Sequence, residues 1–159
     1  MRLSTRGRYA VMAMVELAAR EARAVPPAEG KRTPPVSLAE IAASQMLSLA
    51  YLEQLFGPMR RAGLVASARG PGGGYRLTRP AGAITIAEVV EAVEDNVLAA
   101  RGEDDAPRMP RGNGLTDDLW DELNDHVRLF LSDVTIADVL ARRVTGRARA
   151  PSPGDRVLA

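Results

Sequence analysis

The run Arg69-Gly70-Pro71-Gly72-Gly73-Gly74-Tyr75-Arg76-Leu77 limits the possible folds more than any other stretch of this chain. Its glycines and proline break any helix and favour a tight reversal, and three consecutive glycines can supply the positive φ angles such a connection needs. Leu64-Val65-Ala66-Ser67-Ala68 before the run and Tyr75-Arg76-Leu77-Thr78 after it can pair as two short strands. The product is a basic β-hairpin directly after two short, well-capped helices. That order, helix, turn, helix, wing, points to duplex DNA.

Glycine-rich runs also cradle phosphates in nucleotide-binding enzymes, and the spacing here does not suit that use. A P-loop requires Lys followed by Ser or Thr after its last glycine, and a dinucleotide site requires a further glycine three residues after the second, leading into a helix. Tyr75 and Leu77 occupy those places. A hairpin that binds nothing is the other reading of the glycines taken alone, so the flanking sequence decides.

Charge is the first such flank. Residues 1–82 carry twelve Arg or Lys against five Asp or Glu, a balance of +7, while residues 83–159 carry nine against fifteen, a balance of −6. The near-neutral total conceals a basic half, which contains the hairpin, and an acidic half. Charges taken singly mostly solvate a surface, but a split of this size is expected when one module meets a polyanion and the other does not. At 159 residues the chain can bury one real core or a small domain with a helical arm. No stretch approaches the roughly 20 apolar residues of a membrane span, and no secretory leader pattern opens it, so a soluble, cytoplasmic protein without membrane contact is expected.

Helix signals place the first half. Ser4 can cap a helix running to about Arg23, with Tyr9, Ala10, Met14, Leu17 and Ala18 as its apolar stripe. Ala24 to Pro35, with four prolines, reads as a loop. Ser37 and Glu40 form a capping box for a second helix, with Val36 stapling onto Ile41. After a turn at Gln45-Met46-Leu47, Ser48 can cap a third helix whose Leu52, Leu55, Phe56 and Met59 point to a core. Its other face carries Ala50, Glu53, Gln54 and Gly57. Small and hydrogen-bonding side chains near a helix start suit the major groove, where Gln pairs with adenine edges and Glu accepts from cytosine N4. Pro58 either kinks this helix or starts another turn. Arg60 and Arg61 then lie near phosphates, with Arg2, Arg6, Arg8, Arg69 and Arg76 as further phosphate partners.

The second half repeats the capping grammar. Thr85 and Glu88 open a helix to about Glu94, residues 95–114 read as a loop, and Thr116 is the expected cap of a longer helix with Asp117 and Asp118 in its first turn. Leu119, Trp120, Leu123, Val127, Phe130, Leu131 and Val134 form one apolar stripe that can pack back onto its own domain, but it is assigned to homodimerisation because the N-terminal half has candidates for a core of its own and the long helix follows a loop. A short helix follows Thr135, and the Arg-, Pro- and Gly-rich tail reads as disordered. The expected division is a winged helix-turn-helix domain at 1–82, connector and dimerisation helices at 83–143, and a tail at 144–159. The fold class is mainly α with a small β-hairpin wing.

Met1-Arg2-Leu3-Ser4-Thr5-Arg6-Gly7-Arg8-Tyr9-Ala10, Ser48-Leu49-Ala50-Tyr51-Leu52-Glu53-Gln54-Leu55-Phe56, and Gly63-Leu64-Val65 with Arg69 to Tyr75 together resemble IscR-type regulators of the Rrf-two superfamily, over about residues 1–143. The resemblance implies a bacterial homodimeric transcription factor, acting as a repressor, with one winged helix on each half of a palindromic promoter site. Iron-sulfur or iron homeostasis genes are the implied targets. Ala50, Glu53 and Gln54 match base-reading positions, Arg69 matches a wing arginine inserted into the minor groove, and Ser48, Tyr51, Gly72 and Gly73 fall in the same DNA-facing motifs.

One part of the resemblance fails. Such regulators hold a 2Fe–2S cluster through three cysteines and a histidine ahead of the dimer helix, yet this chain has no cysteine and Asp117 stands where the histidine is expected. Carboxylates at Glu103, Asp104, Asp105 and Asp117 are hard donors and poor substitutes for thiolates. No cofactor and no metal are therefore expected. His126, the single histidine, reads as a surface or interface residue. With no nucleophile motif and no ligand cluster, the chain is not expected to be an enzyme. The competing reading is a protein-interaction module with a vestigial winged helix.

Overall fold

The computed structural model describes residues 4–25, 28–29, 32–101 and 114–144. Within them lie six α-helices and one two-stranded antiparallel sheet: α1 (Thr5–Arg23), α2 (Leu38–Gln45), α3 (Leu49–Arg61), β1 (Val65–Ala68), β2 (Gly74–Leu77), α4 (Ile86–Arg101), α5 (Asp117–Asp133) and α6 (Ile136–Leu140), with a 3-10 turn at Ala81–Ala83. The mainly helical fold with a small β-hairpin is as the sequence led us to expect.

Caps begin these helices where the sequence puts them. The Ser4 hydroxyl accepts from the Gly7 N–H, and Ser37 and Glu40 satisfy each other's backbone in a complete capping box. Each such cap closes a donor that the first helical turn leaves open, a contribution of about 1 kcal/mol. Thr116 departs from the pattern. It precedes α5 but makes no side-chain cap bond, and Gly114 instead supplies the carbonyl that accepts the Asp117 N–H at 3.2 Å.

The core is one cluster. Ala10, Met14 and Leu17 of α1 meet Leu52, Leu55, Phe56 and Met59 of α3 and Val89, Val90 and Val93 of α4, all essentially inaccessible to solvent. Gly7 sits where α1 approaches α4: a Cβ there would come within 3.4 Å of Val90. At the far end of α4, Ile86 donates to the Val134 carbonyl at 2.8 Å and Ile136 donates to the Ile84 carbonyl at 3.0 Å. Thr85 and Thr135 thereby form an isolated antiparallel bridge, each heading its own capping box, with Glu88 and Asp138 respectively. The starts of α4 and α6 are stapled together.

Two boundaries differ from the sequence reading. The loop expected over 95–114 begins later, because α4 continues to Arg101. Asp95 and Asn96 suggest an end, but Val97 to Arg101 offers no glycine or proline and mostly good helix formers, so the helix propagates. Residues 102–113, the tail 145–159 and Arg2 lie outside the described residues. Gln45, expected in the turn, closes α2, and the reversal falls on Met46, which takes the left-handed conformation at φ 54°.

Candidate nucleic-acid interface

The third helix presents two chemically opposed faces. Leu52, Leu55, Phe56, Pro58 and Met59 are buried, whereas Leu49, Ala50, Glu53, Gln54, Arg60 and Arg61 are exposed. Spacing at i, i+3, i+4 and i+7 makes the division, since those positions share one side of a 3.6-residue helix. Ser48 caps the start, its hydroxyl accepting from the Tyr51 N–H at 3.1 Å. Arg60 and Arg61 complement the negative end of the helix dipole.

Pro58 lies inside α3, which neither stops nor restarts there. A proline has no N–H for the carbonyl four residues back, here that of Gln54. That oxygen is satisfied from another element: Arg6 Nη2 donates to it at 3.3 Å, while Arg6 Nε donates to the Val93 carbonyl on α4 at 3.2 Å. Arg6, expected as a phosphate partner, thus spends its guanidinium on two backbone carbonyls.

The hairpin stands beside this helix in the register Val65 to Leu77, Ala66 to Arg76, Ser67 to Tyr75 and Ala68 to Gly74. Its tip is a four-residue turn, Gly70 to Gly73, closed by the Gly73 N–H donating to the Gly70 carbonyl at 2.9 Å. Pro71 in second place and Gly72 at φ +72° in third are the signature of a type II turn. Of the three consecutive glycines only Gly72 needs a positive φ. Gly73 and Gly74 are required for a different reason: a Cβ at Gly74 would lie 2.2 Å from the Val36 carbonyl oxygen, and one at Gly73 would lie 2.5 Å from that of Ala68. The closeness at Gly74 serves a third strand contact, in which Val36 and Tyr75 exchange bonds of 2.8 and 2.7 Å.

Three contacts aim the hairpin. The Tyr75 ring packs on Phe56 of α3 at a centroid distance of 4.9 Å, the Thr78 hydroxyl donates to the Gly63 carbonyl, and Glu21 of α1 accepts from the Leu77 N–H at 2.8 Å. Burial pushes the Glu21 carboxyl above its usual range, against the pull of that N–H and of the Arg76 charge. Nothing in the sequence marked Glu21 as a wing anchor, because the partner is a backbone group 56 residues away. The helix-turn-helix is held to α1 in a similar way. Glu16 takes bonds from Arg20 and Gln45 at 2.7 and 3.3 Å, and although burial acts to raise its pKa, the Ser44 and Arg20 hydrogen bonds and the Arg20 and Arg23 charges bring it below the usual range. Tyr51 packs its ring edge-on against Tyr9 at 5.8 Å.

The structure brings Ser48, Ala50, Glu53, Gln54, Arg60 and Arg61 onto α3 or its cap, and Arg69, Gly72, Gly73 and Arg76 onto the hairpin. Arg69 and Gly72 are exposed at the tip and Arg8 is exposed on α1. Arg76 is half-buried, with its Nε shielded from solvent and without a hydrogen-bond partner.

The α5 stripe divides. Leu119, Trp120 and Leu123 are 61, 55 and 50 % exposed, and Phe130 is also open, but Leu131 and Val134 lie in the chain's own core and Val127 packs against it. Leu131 and Val134 therefore cannot serve an outward-facing contact, a limit the sequence did not reveal because all seven residues fit one periodic stripe. Leu115 and Leu129, not singled out from the sequence, are among the most exposed apolar residues. His126 is exposed and pairs with Glu122 at 2.8 Å. Among the described residues no helix is long and apolar enough to cross a membrane.

Comparison with known proteins agrees with this geometry. A family model described as "Rrf2: Iron-dependent Transcriptional regulator" matches residues 3–142. The chain is 45 % identical over 143 residues to the HTH-type transcriptional regulator IscR of Cereibacter sphaeroides, covering 88 % of this chain and 87 % of that one. Among solved structures it is similar to T. potens IscR, with TM-score 0.66 and 32 % identity over 90 % of this chain and 88 % of the other. It is equally similar to CymR, the global cysteine regulator of B. subtilis, with TM-score 0.66 and 32 % identity over 89 and 98 % of the two chains.

Proposed function

Because the chain belongs to the Rrf2 family of transcriptional regulators, and is on that ground a DNA-binding regulator rather than an enzyme, we propose that it acts as a homodimeric repressor that reads palindromic promoter sites without an iron-sulfur cluster. The observation that carries the reading is the juxtaposition in one unit of an exposed Ala50-Glu53-Gln54 face on α3 and an Arg69-bearing hairpin. Glu53 and Gln54 choose bases in the major groove, and Arg69 enters the adjacent minor groove. Arg8, Arg60 and Arg61 neutralise phosphates, a contribution that sets affinity without choosing sequence.

Dimerisation is supported by the open apolar residues of α5, Leu119, Trp120 and Leu123. Two subunits paired there present two recognition helices, which reach successive major grooves when their centres are about 34 Å apart. The palindrome follows from that two-fold symmetry.

The donor set does not fit a thiolate-held cluster. The whole chain has no cysteine, and its one histidine is on the exposed side of α5, bonded to Glu122. No regulatory step is therefore routed through iron. CymR, a neighbour of the same fold, is a cysteine regulator, so iron is not the sole theme attached to this architecture, although iron-sulfur or iron homeostasis genes remain the proposed targets by family likeness.

Gel-shift selection on genomic fragments at two salt concentrations tests the reading. Retention of a few palindrome-containing fragments, weakening as salt rises, is expected, together with iron and sulfide analysis of anaerobically purified protein that finds neither. No retention even in dilute buffer would leave the interaction-module reading standing, and stoichiometric iron with sulfide would overturn the cluster-free one.

A further inference from the structure

We propose that Arg6 is a positioning residue for base reading: by holding the carbonyl of Gln54 against the backbone of α4, it sets the pose of the recognition-helix face that carries Glu53 and Gln54. The inference rests on the DNA-reading function proposed above. A proline inside a helix loosens the turn before it, because the ladder bond to the residue four positions back is missing and the ring crowds that carbonyl. The turn so loosened in α3 begins at Gln54, next to Glu53 on the exposed face. The bond that Pro58 cannot make is replaced by Arg6 Nη2 at the Gln54 carbonyl, and the same edge of the guanidinium is fixed by Nε at the Val93 carbonyl.

Arg6 is itself held. Ser4 caps α1 and its hydroxyl bonds to Glu94 on α4, while Gly7 lets the two helices close, since a Cβ there would come within 3.2 Å of Glu94 Oε1. The first turn of α1 is therefore registered on α4, and through Arg6 the recognition helix is registered on both. A rigid planar fork meets the two carbonyls from two separate nitrogens, a geometry that a single ammonium nitrogen does not reproduce. A displacement of α4, the first α-helix of the acidic half of the chain, is thereby delivered to Gln54.

The competing role for Arg6, a phosphate contact, makes opposite predictions. Arg6→Lys keeps the charge and would behave as wild type if phosphate were the partner. As a positioning residue, Arg6→Lys and Arg6→Met both lower discrimination between the preferred site and singly substituted sites by about tenfold, with the slope of log K against log salt unchanged. Pro58→Ala returns an N–H to the Gln54 carbonyl, so the Arg6→Met/Pro58→Ala double variant recovers most of the lost discrimination. The full-length protein is used throughout, with binding constants measured at several salt concentrations. The assignment is overturned if Arg6→Lys matches wild type while Arg6→Met loses affinity equally for every sequence and the salt slope falls by about one, or if Pro58→Ala rescues nothing. A wild-type protein that ignores DNA defeats the underlying function instead, before any variant is compared.

Discussion

Helices α3 and α5 obey the same apolar periodicity and reach opposite ends. On α3, Leu52, Leu55, Phe56 and Met59 are completely buried, whereas on α5 Leu119, Trp120 and Leu123 remain half or more exposed and only Leu131 among its residues is buried. The contrast separates a region that satisfies itself within one chain from a region that leaves its apolar surface open. Periodicity says that a helix has an apolar face. It does not say which molecule covers it.

Phe56 offers the largest test. Its ring is fully buried and touches Tyr75 of the hairpin, so Phe56→Ala is expected to cost about 3–5 kcal/mol, read as a shift of the denaturant midpoint. A loss below about 1 kcal/mol would mean that the α3 side is no better packed than the α5 side. Gly74→Ala comes next. The added Cβ collides with the Val36 backbone, and a cost of about 1–3 kcal/mol is expected with loss of the Val36–Tyr75 pairing, followed by amide exchange at Tyr75.

Leu123→Glu sharpens the other side of the comparison. At an exposed position it should leave the fold of one chain within about 0.5 kcal/mol, yet convert the proposed dimer to monomer in sedimentation and weaken binding to the proposed palindrome far more than to a half-site. An unchanged sedimentation coefficient would remove α5 as the dimer element. The smallest effect is expected from acid. Glu16, Glu40 and Glu88 have pKa values held below the usual carboxylate range: for Glu40 by the Ser37 backbone and hydroxyl, for Glu16 and Glu88 by hydrogen bonds and arginines that outweigh burial. Their stabilisation is present above the unfolded value and disappears as pH falls through the lower folded values. Glu21 acts in the opposite sense, its contribution being present at low pH and lost as pH rises through its raised value. The depressed groups predict stability declining as pH drops below about 4.3, with Glu21 opposing that decline. A melting temperature flat or rising over that range would contradict the assignment.

Local signals were legible in the sequence and long-range partners were not. Ser37 with Glu40, Ser48, Thr85 with Glu88, and the Gly70-to-Gly73 reversal all lie within a few residues of what they bond, so spacing alone identifies them. Glu21 with Leu77, Tyr75 with Phe56, and Arg6 with Gln54 and Val93 join elements distant in the chain. Only half of the last case was accessible: Pro58 announces a free carbonyl at Gln54, but nothing nearby names its donor. Leu131 and Val134 failed for a related reason, since a helix that ends against its own core changes the destination of its face along its length.

The bridge between Thr85 and Thr135 plants both feet of the excursion from α4 through α5 at one spot on the reader. Closing a loop at fixed anchors costs only slightly more as the loop lengthens. Beyond the core-packed first half of α4, a lineage can therefore lengthen, shorten or exchange the material between Glu94 and Leu131 with little penalty to the rest of the unit. The excursion is a replaceable cartridge on a permanent mount.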